Sequence, residues 1–329
     1  MQPGLPAQCT AGVEQRTSGT LAVPPGLSLM APRVTFVGGT GFIGRELVAR
    51  LIARGASVRV VTRHAPDGTA AASAIDHIRG SIEDPATVER AVEGATAVVD
   101  LVGTTAAASP AAFYALHRDA PRQLAKAARS AGVARFVFTS AMGVTLDAPS
   151  LADRSKAEGE IAVREAFPGA TIARPALVYG PDDHFFSRFI PLVRRAPAIP
   201  LIGAGRTRFQ PMHVDDVAEA IARMIEVPEA IGSTYDLGAD EVYALRELIE
   251  RLCDALGRHP RLVPVPFGVA EAGARFTQWL PNAPLTADQV RLLMTDKVMS
   301  KGAETPVSLG VRPRTLDTFL AELGQRERR

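Results

Sequence analysis

Apolar residues follow two rhythms along this chain, and their alternation predicts its architecture. Short unbroken runs rich in β-branched and aromatic residues, such as Val34-Thr35-Phe36-Val37, Val58-Arg59-Val60-Val61 and Ala97-Val98-Val99, read as strands covered on both faces. Between them, apolar residues recur three and four positions apart, as at Leu47, Val48, Leu51 and Ile52, which is the stripe of an amphipathic helix. Strands are expected at Arg33–Val37, Ser57–Thr62, Asp76–Gly80, Ala97–Gly103, Arg135–Ser140 and Thr171–Pro175. Helices are expected after the first glycine turn and over Asp84–Val92, Pro110–Ala131 and Leu151–Phe167. Strict alternation with short connections makes a right-handed, doubly wound parallel sheet the economical arrangement. Beyond Tyr179-Gly180-Pro181 the rhythm loosens. Phe185–Arg195 and Val214–Ile225 read as helices, Ile199–Ile202 as extended, and Thr234–Leu237 and Arg261–Val265 as short strands flanking a helix over Tyr243–Leu256.

The first strand breaks into Gly38-Gly39-Thr40-Gly41-Phe42-Ile43-Gly44 before the first helix begins. Gly38 and Gly41 permit a sharp turn and a close backbone approach, and Gly44 removes a side chain where helix and strand pack. The helix start then aims its free N–H groups and positive dipole end at the turn, where a pyrophosphate would sit. A glycine turn alone can serve packing; here the strand before it and the amphipathic helix after it supply the context of a dinucleotide site. The residues expected around that cofactor are Gly38, Thr40, Gly41, Phe42, Ile43, Gly44, Arg63, Gly103, Ser140, Lys156 and Pro175. The predicted fold class is therefore α/β, a Rossmann-type doubly wound parallel sheet with a smaller C-terminal substrate lobe. Residues 31–180 form the dinucleotide-binding core, and 181–329 a mixed part contributing to that core and to a substrate or partner lobe.

The end of the second strand decides between the two nicotinamide cofactors. A carboxylate there would bind the ribose 2′-hydroxyl of NAD, whereas an arginine pairs with the 2′-phosphate of NADP. Arg63 stands at that end with no Asp or Glu in the strand, and Arg45 lies near the helix start, so NADP(H) is favoured over NAD(H). The plainer alternative is that Arg63 is a solvated loop charge.

Composition narrows the class further. The 329 residues are 47% hydrophobic and 22% charged, a globular balance with room for a large core. A formal net charge of +2 without a dense basic run argues against nucleic acid. Cys9 and Cys253 suggest no disulfide framework, which fits a reducing compartment, and the six histidines lack metal-ligand spacing. No stretch is long and apolar enough to span a bilayer. Residues 1–30, rich in Gly, Pro, Ser and Thr, read as a disordered tail or as the product of a start assigned too early, with Met30 the first residue. The stretch from Pro266 to Leu280, with Phe267, Phe276 and Trp279, is expected to pack within the lobe, with partner contact as the alternative.

With these residues in view, the chain resembles the short-chain dehydrogenase/reductase superfamily in its extended or atypical branch. The resemblance covers Pro32 to Arg329. It rests on the Gly38, Gly41 and Gly44 spacing, the Thr139-Ser140 strand end, the Ser155-Lys156-Ala157-Glu158-Gly159-Glu160 helix, Arg174-Pro175 through Pro181, and Phe209–Ala218, which looks like the segment closing the substrate cleft. More narrowly, Leu285–Leu293 and Asp296-Lys297-Val298 resemble the bacterial relatives of the NAD(P)H-binding accessory subunit of respiratory complex I, the NDUFA-nine-like family.

Active members of the superfamily use a Tyr four residues before the helix lysine, with a Ser or Thr from the fifth strand. Residues i and i+4 share a helix face, so the ammonium can depress the phenol's pKa while binding the nicotinamide ribose. Counting back from Lys156 lands on Ala152; Ser140 and Lys156 remain, and the Tyr is missing. Asp153 lies about 100° around the helix and should face elsewhere. The resemblance implies a protein that binds the nicotinamide dinucleotide and docks onto respiratory complex I from the cytoplasmic side, peripheral to the inner membrane. An NADP-dependent reductase, epimerase or dehydratase acting on a small carbonyl, nucleotide-sugar or quinone-related substrate is the alternative. A cofactor-binding regulator is the third reading.

Overall fold

The computed structural model describes residues 32–63, 75–277 and 285–327. The readings of residues 1–30, Trp279 and Leu280 lie outside the described residues. The alternating half runs β1 (Arg33–Val37), α1 (Phe42–Ala53), β2 (Ser57–Thr62), β3 (Ile75–Arg79), α2 (Pro85–Val92), β4 (Ala97–Asp100), α3 (Pro110–Tyr114), α4 (Ala120–Ser130), β5 (Arg135–Thr139), α5 (Leu151–Ala166) and β6 (Thr171–Pro175). The helix expected over Pro110–Ala131 is interrupted by a π-helical turn at Ala115–Asp119. Asp84 caps α2 through its carboxylate, Ser109 caps α3 and Ser150 caps α5, so the polar residues ahead of each apolar stripe set where these helices begin.

Beyond residue 180 the chain serves two ends. β7 (Val178–Tyr179), α6 (Phe186–Arg195), β8 (Ala198–Ile202), β9 (Arg208–Phe209), β10 (Met212–His213), α7 (Val214–Glu226), β11 (Thr234–Leu237), β12 (Tyr243–Ala244), α8 (Leu245–Leu256), β13 (Arg261–Val265), α9 (Phe267–Thr277), α10 (Ala287–Leu292) and α11 (Leu316–Arg326) follow in order. β11 joins the large sheet, whose order is β11-β6-β5-β4-β1-β2-β3. Every neighbouring pair in it is parallel, with Val34 opposite Val58 on one side of β1 and Val37 opposite Asp100 on the other. β4, β5 and β6 are nearly buried throughout, which is why they read as unbroken apolar runs.

Two apolar layers clamp the sheet. One gathers Phe36, Leu47, Val99, Val217 and Ile221 from α1, α7 and one sheet face; the other gathers Val98, Leu124, Phe138, Val163 and Ile172 from α4, α5 and the opposite face. A third cluster, with Phe186, Leu201, Leu248, Leu252 and Phe319, belongs to the C-terminal lobe. Tyr243 and Ala244, expected at the start of a helix, instead pair antiparallel with β9 before α8 begins. The Pro266–Leu280 stretch departs from the packing expected of it. Phe267 lies against Gly203, but Phe276 is 84% exposed and Val269 62%. Their helix has a face that no described element covers.

The strand order reverses between β1 and β4. Crevices at the carboxyl ends of strands form where neighbouring connections leave in opposite directions, so the fold puts its ligand position between the turns that follow these two strands.

Candidate functional site

At that reversal, the backbone of the first turn is packed to the limit. Gly38 has φ +79°, and a Cβ there would stand 3.1 Å from the Leu101 carbonyl carbon on the β4 side. A Cβ on Gly41 would stand 3.2 Å from Gly38 O, and one on Gly44 only 2.5 Å from the same oxygen. Gly41 N–H donates to Gly38 O at 3.0 Å, closing the turn. Gly41 is also the N-cap of α1, has no side chain to cap it, and the first turn of the helix contains no acidic residue. The leading N–H groups of α1 therefore face the turn without a side-chain acceptor, the condition for receiving an anion. Thr40 is exposed on the rim; Phe42 and Ile43 are half-buried beside it.

Lys156 reaches the opposite wall from α5. Its Nζ donates to Ser140 O at 3.1 Å and Thr139 O at 3.4 Å, and lies where a Cβ on Gly103 would be 3.1 Å away. The ammonium thus spans the carboxyl ends of β4 and β5. Burial pulls its pKa down to about 8, against the upward pull of Asp100, Asp153 and Glu160. The Ser140 and Thr139 hydroxyl oxygens are buried with no hydrogen-bond partner. Pro175 closes β6 nearby, its carbonyl accepting from Met142 N–H at 3.0 Å.

These features fit a dinucleotide. Glycines occupy positions where a Cβ would strike backbone or Lys156, and the Ser140 hydroxyl at the end of β5 is left without a partner, a rare arrangement for a buried polar group. No group of three or more His, Cys, Asp or Glu among the described residues could hold a metal ion.

Ala152 is 3% exposed, one turn before Lys156. Asp153, Tyr179 and His213 are each committed elsewhere. The Asp153 carboxylate is buried against Lys297 Nζ at 2.7 Å, a partner 144 residues away. Tyr179 is buried, its hydroxyl donating to Arg314 O at 3.3 Å, and desolvation drives its pKa upward. His213 caps α7, accepting Asp215 N–H on Nδ1 at 3.2 Å, and burial lowers its pKa, as does Arg314.

His117, on the π turn, carries a chain of bonds that sequence reasoning did not reach. Its Nε2 accepts Thr104 N–H at 3.1 Å, so the ring proton is on Nδ1 and is donated to Ser155 Oγ at 2.8 Å; that hydroxyl in turn donates to Ala152 O at 3.0 Å. Burial, reinforced by Lys156, lowers the His117 pKa to about 3 and keeps the ring neutral. The C-terminal part adds a strap. Asp288 accepts the N–H groups of Leu151 and Ala152 at 2.7 and 3.1 Å, a carboxylate on a helix N-terminus, and Gln289 reaches Thr105 Oγ1 at 3.2 Å. Arg174 is bonded to both oxygens of Glu160 at 2.8 and 2.6 Å. Only Asp100 among the unforeseen groups left a trace in the sequence, as a lone carboxylate in a buried apolar strand.

Arg63 is exposed at the end of β2, and no carboxylate among the described residues pairs with it.

The match to known proteins agrees with this geometry. Residues 34–238, more than half of the chain, match the model of the NAD dependent epimerase/dehydratase family. The chain belongs to that family. Within this nicotinamide dinucleotide-binding family, its relatives mark it as an extended short-chain dehydrogenase/reductase of the NDUFA-nine-like kind. It is 31% identical over 305 residues, 88% of this chain and 76% of the other, to the Arabidopsis thaliana protein named NADH dehydrogenase (ubiquinone) 1 alpha subcomplex subunit 9, mitochondrial. It is also 31% identical over 256 residues, 76% of this chain and 80% of the other, to the ceramide reductase of Caulobacter vibrioides. Among solved structures, the UDP-glucose 4-epimerase of Thermus thermophilus in complex with NAD superimposes with a TM-score of 0.68 over 90% of this chain and 99% of that one. At 22% identity that likeness concerns the epimerase/dehydratase fold alone. No helix among the described residues is long and apolar enough to cross a membrane.

Proposed function

We propose that this protein holds NADP(H), in preference to NAD(H), as a structural cofactor and acts as an accessory or assembly subunit of respiratory NADH:quinone oxidoreductase, peripheral to the membrane on the cytoplasmic side. The observation that carries the reading is the buried Ala152 at the position of the acid, with Asp153, Tyr179 and His213 each held by another partner. Relatives named as subunits of that complex supply the partner.

In this reading the α1 N–H groups bind the pyrophosphate, Gly38, Gly41 and Gly44 let it approach, and Lys156 donates its remaining N–H to the nicotinamide ribose. Arg63 takes the 2′-phosphate. A nicotinamide dinucleotide supplies a hydride when bound. The chain's own groups orient that ligand, and the Ser140 hydroxyl can polarise a carbonyl, but Asp153, Tyr179 and His213 are held away from proton delivery. Binding is preserved and turnover is not.

The alternative is a reductase acting on a carbonyl substrate with water as proton source. It is favoured by the relative named ceramide reductase and by the unpartnered Ser140 hydroxyl. Gently solubilised membranes of the producing cell separate the two. Co-migration of this protein at high mass with NADH:quinone oxidoreductase activity is expected; a small species running apart from that activity would overturn the subunit reading. Arg63→Ala should weaken NADPH binding roughly tenfold, about the 1.4 kcal/mol of an exposed charged contact, and leave NADH unchanged. Nucleotide fluorescence titration measures it, and a wild-type protein without NADPH preference would remove the assignment of Arg63.

A further inference from the structure

Asp100 has no part in the binding scheme above, and its placement calls for one. It ends β4 with 0% exposure. Strand alternation puts it on the same sheet face as Val98, whose layer includes Val163 of α5. Its Oδ1 accepts Val102 N–H at 2.9 Å, while Oδ2 is buried with no hydrogen-bond partner. Three residues on, Gly103 lies directly beneath Lys156 Nζ. No direct ion pair joins Asp100 and Lys156, yet each is within the other's electrostatic reach. A buried carboxylate with an idle oxygen is expensive to keep, and here its field falls on an ammonium that burial would otherwise discharge.

We propose that Asp100 is a positioning residue of the cofactor site, an internal counter-ion beneath Lys156 that keeps the ammonium charged between the ends of β4 and β5, where it meets the ribose of the dinucleotide. The inference rests on the nicotinamide-site reading and adds a residue to it. Other charges also bear on Lys156: Asp153 and Glu160 from its own helix raise its pKa, and Lys297 from the C-terminal segment lowers it. Asp153 is neutralised by Lys297 and Glu160 by Arg174, and His117 on the π turn is uncharged, which leaves Asp100 as the uncommitted carboxylate. Burial pushes the Asp100 carboxyl up to about 7, opposed by the Val102 N–H and by Lys156.

The chain has four lysines, Lys126, Lys156, Lys297 and Lys301, which makes a direct reading practical. Lysine labelled with carbon-13 at Cε, with Lys156→Met to assign the resonance, follows Lys156 against pH in the protein without added nucleotide. Asp100→Asn keeps the acceptor for Val102 N–H and removes the charge. Its Lys156 midpoint should fall by about one pH unit relative to wild type. NADPH affinity at pH 8 should then drop about fivefold in Asp100→Asn and recover at pH 6. In Lys156→Met the pH dependence should vanish, and adding Asp100→Asn should change nothing more. Should Asp100→Asn not fold, the reciprocal measurement decides: the Asp100 carboxyl, read at Cγ, must titrate higher in Lys156→Met than in wild type. An unmoved Lys156 midpoint, or an unmoved Asp100 carboxyl in the reciprocal variant, overturns the inference while leaving NADPH binding intact. A Lys156 midpoint that moves in a protein binding neither NADPH nor NADH overturns the ribose role together with the cofactor reading.

Discussion

Gly159→Ala is expected to destabilise the protein by about 2–3 kcal/mol, despite the roughly 1 kcal/mol that alanine gains over glycine inside a helix. A Cβ at 159 would stand 2.0 Å from His117 O, with Phe138 Cζ at 3.3 Å beyond it. The obstacle is a backbone carbonyl on the π turn, and that turn is tied in place because Thr104 and Ser155 hold the His117 ring. Relief requires α5 to lift from the sheet, and Lys156, three residues back along the same helix face, moves with it. The variant should therefore lose cofactor affinity as well as stability. Urea unfolding measures the first effect and NADPH titration the second. Gly273→Ala in α9 is the control: nothing lies within 4 Å of its Cβ position, and it should be neutral or mildly stabilising. Equal behaviour of the two variants would show that α5 does not sit against the turn as described.

Gly44→Ala is expected to reduce NADPH and NADH binding about 100-fold, equivalent to about 2.7 kcal/mol. Its Cβ would stand 2.5 Å from Gly38 O and 2.7 Å from both Gly39 C and Gly39 Cα, all backbone atoms of the turn. No rotamer change can make room. Either the turn opens or α1 tilts away, and in both cases the helix N–H groups leave the position of the pyrophosphate. The fold should survive better than in Gly159→Ala, since Leu47, Val48 and Leu51 still anchor α1 in its layer. Wild-type affinity in a folded Gly44→Ala protein would mean that the dinucleotide is bound elsewhere.

Much of this molecule was legible before its structure. β4 and β5 were readable because a strand buried on both faces needs apolar residues at nearly every position. The alanine one turn before Lys156 was readable because it lies four residues from it, and helical spacing is local. Asp153 was placed away from the cleft by the same arithmetic, although its partner Lys297 was not foreseeable. The stretch around Phe276 was misjudged for a related reason. An apolar helix face predicts burial only if some element arrives to cover it, and among the described residues none covers Phe276 or Val269. The π turn was also invisible, because one residue of slippage in a long amphipathic pattern barely alters its stripe, yet it presents the His117 carbonyl to Gly159 and the His117 ring to Ser155.

By itself, then, the chain determined the strand-and-helix alternation, the glycine turn at Gly38 to Gly44, and the placing of an alanine, Ala152, four residues before Lys156. These depend on residues within a few positions of one another, where periodicity and backbone sterics dominate. Only the tertiary structure decided which groups surround Lys156, what holds Tyr179 and His213, and how Asp288 and Gln289 strap the C-terminal part across α5 and the β4 loop. The contacts of Asp153 with Lys297 and of Ala152 with Asp288 join residues more than 130 positions apart. Such pairs are set by how the layers pack in space, and no local pattern encodes them.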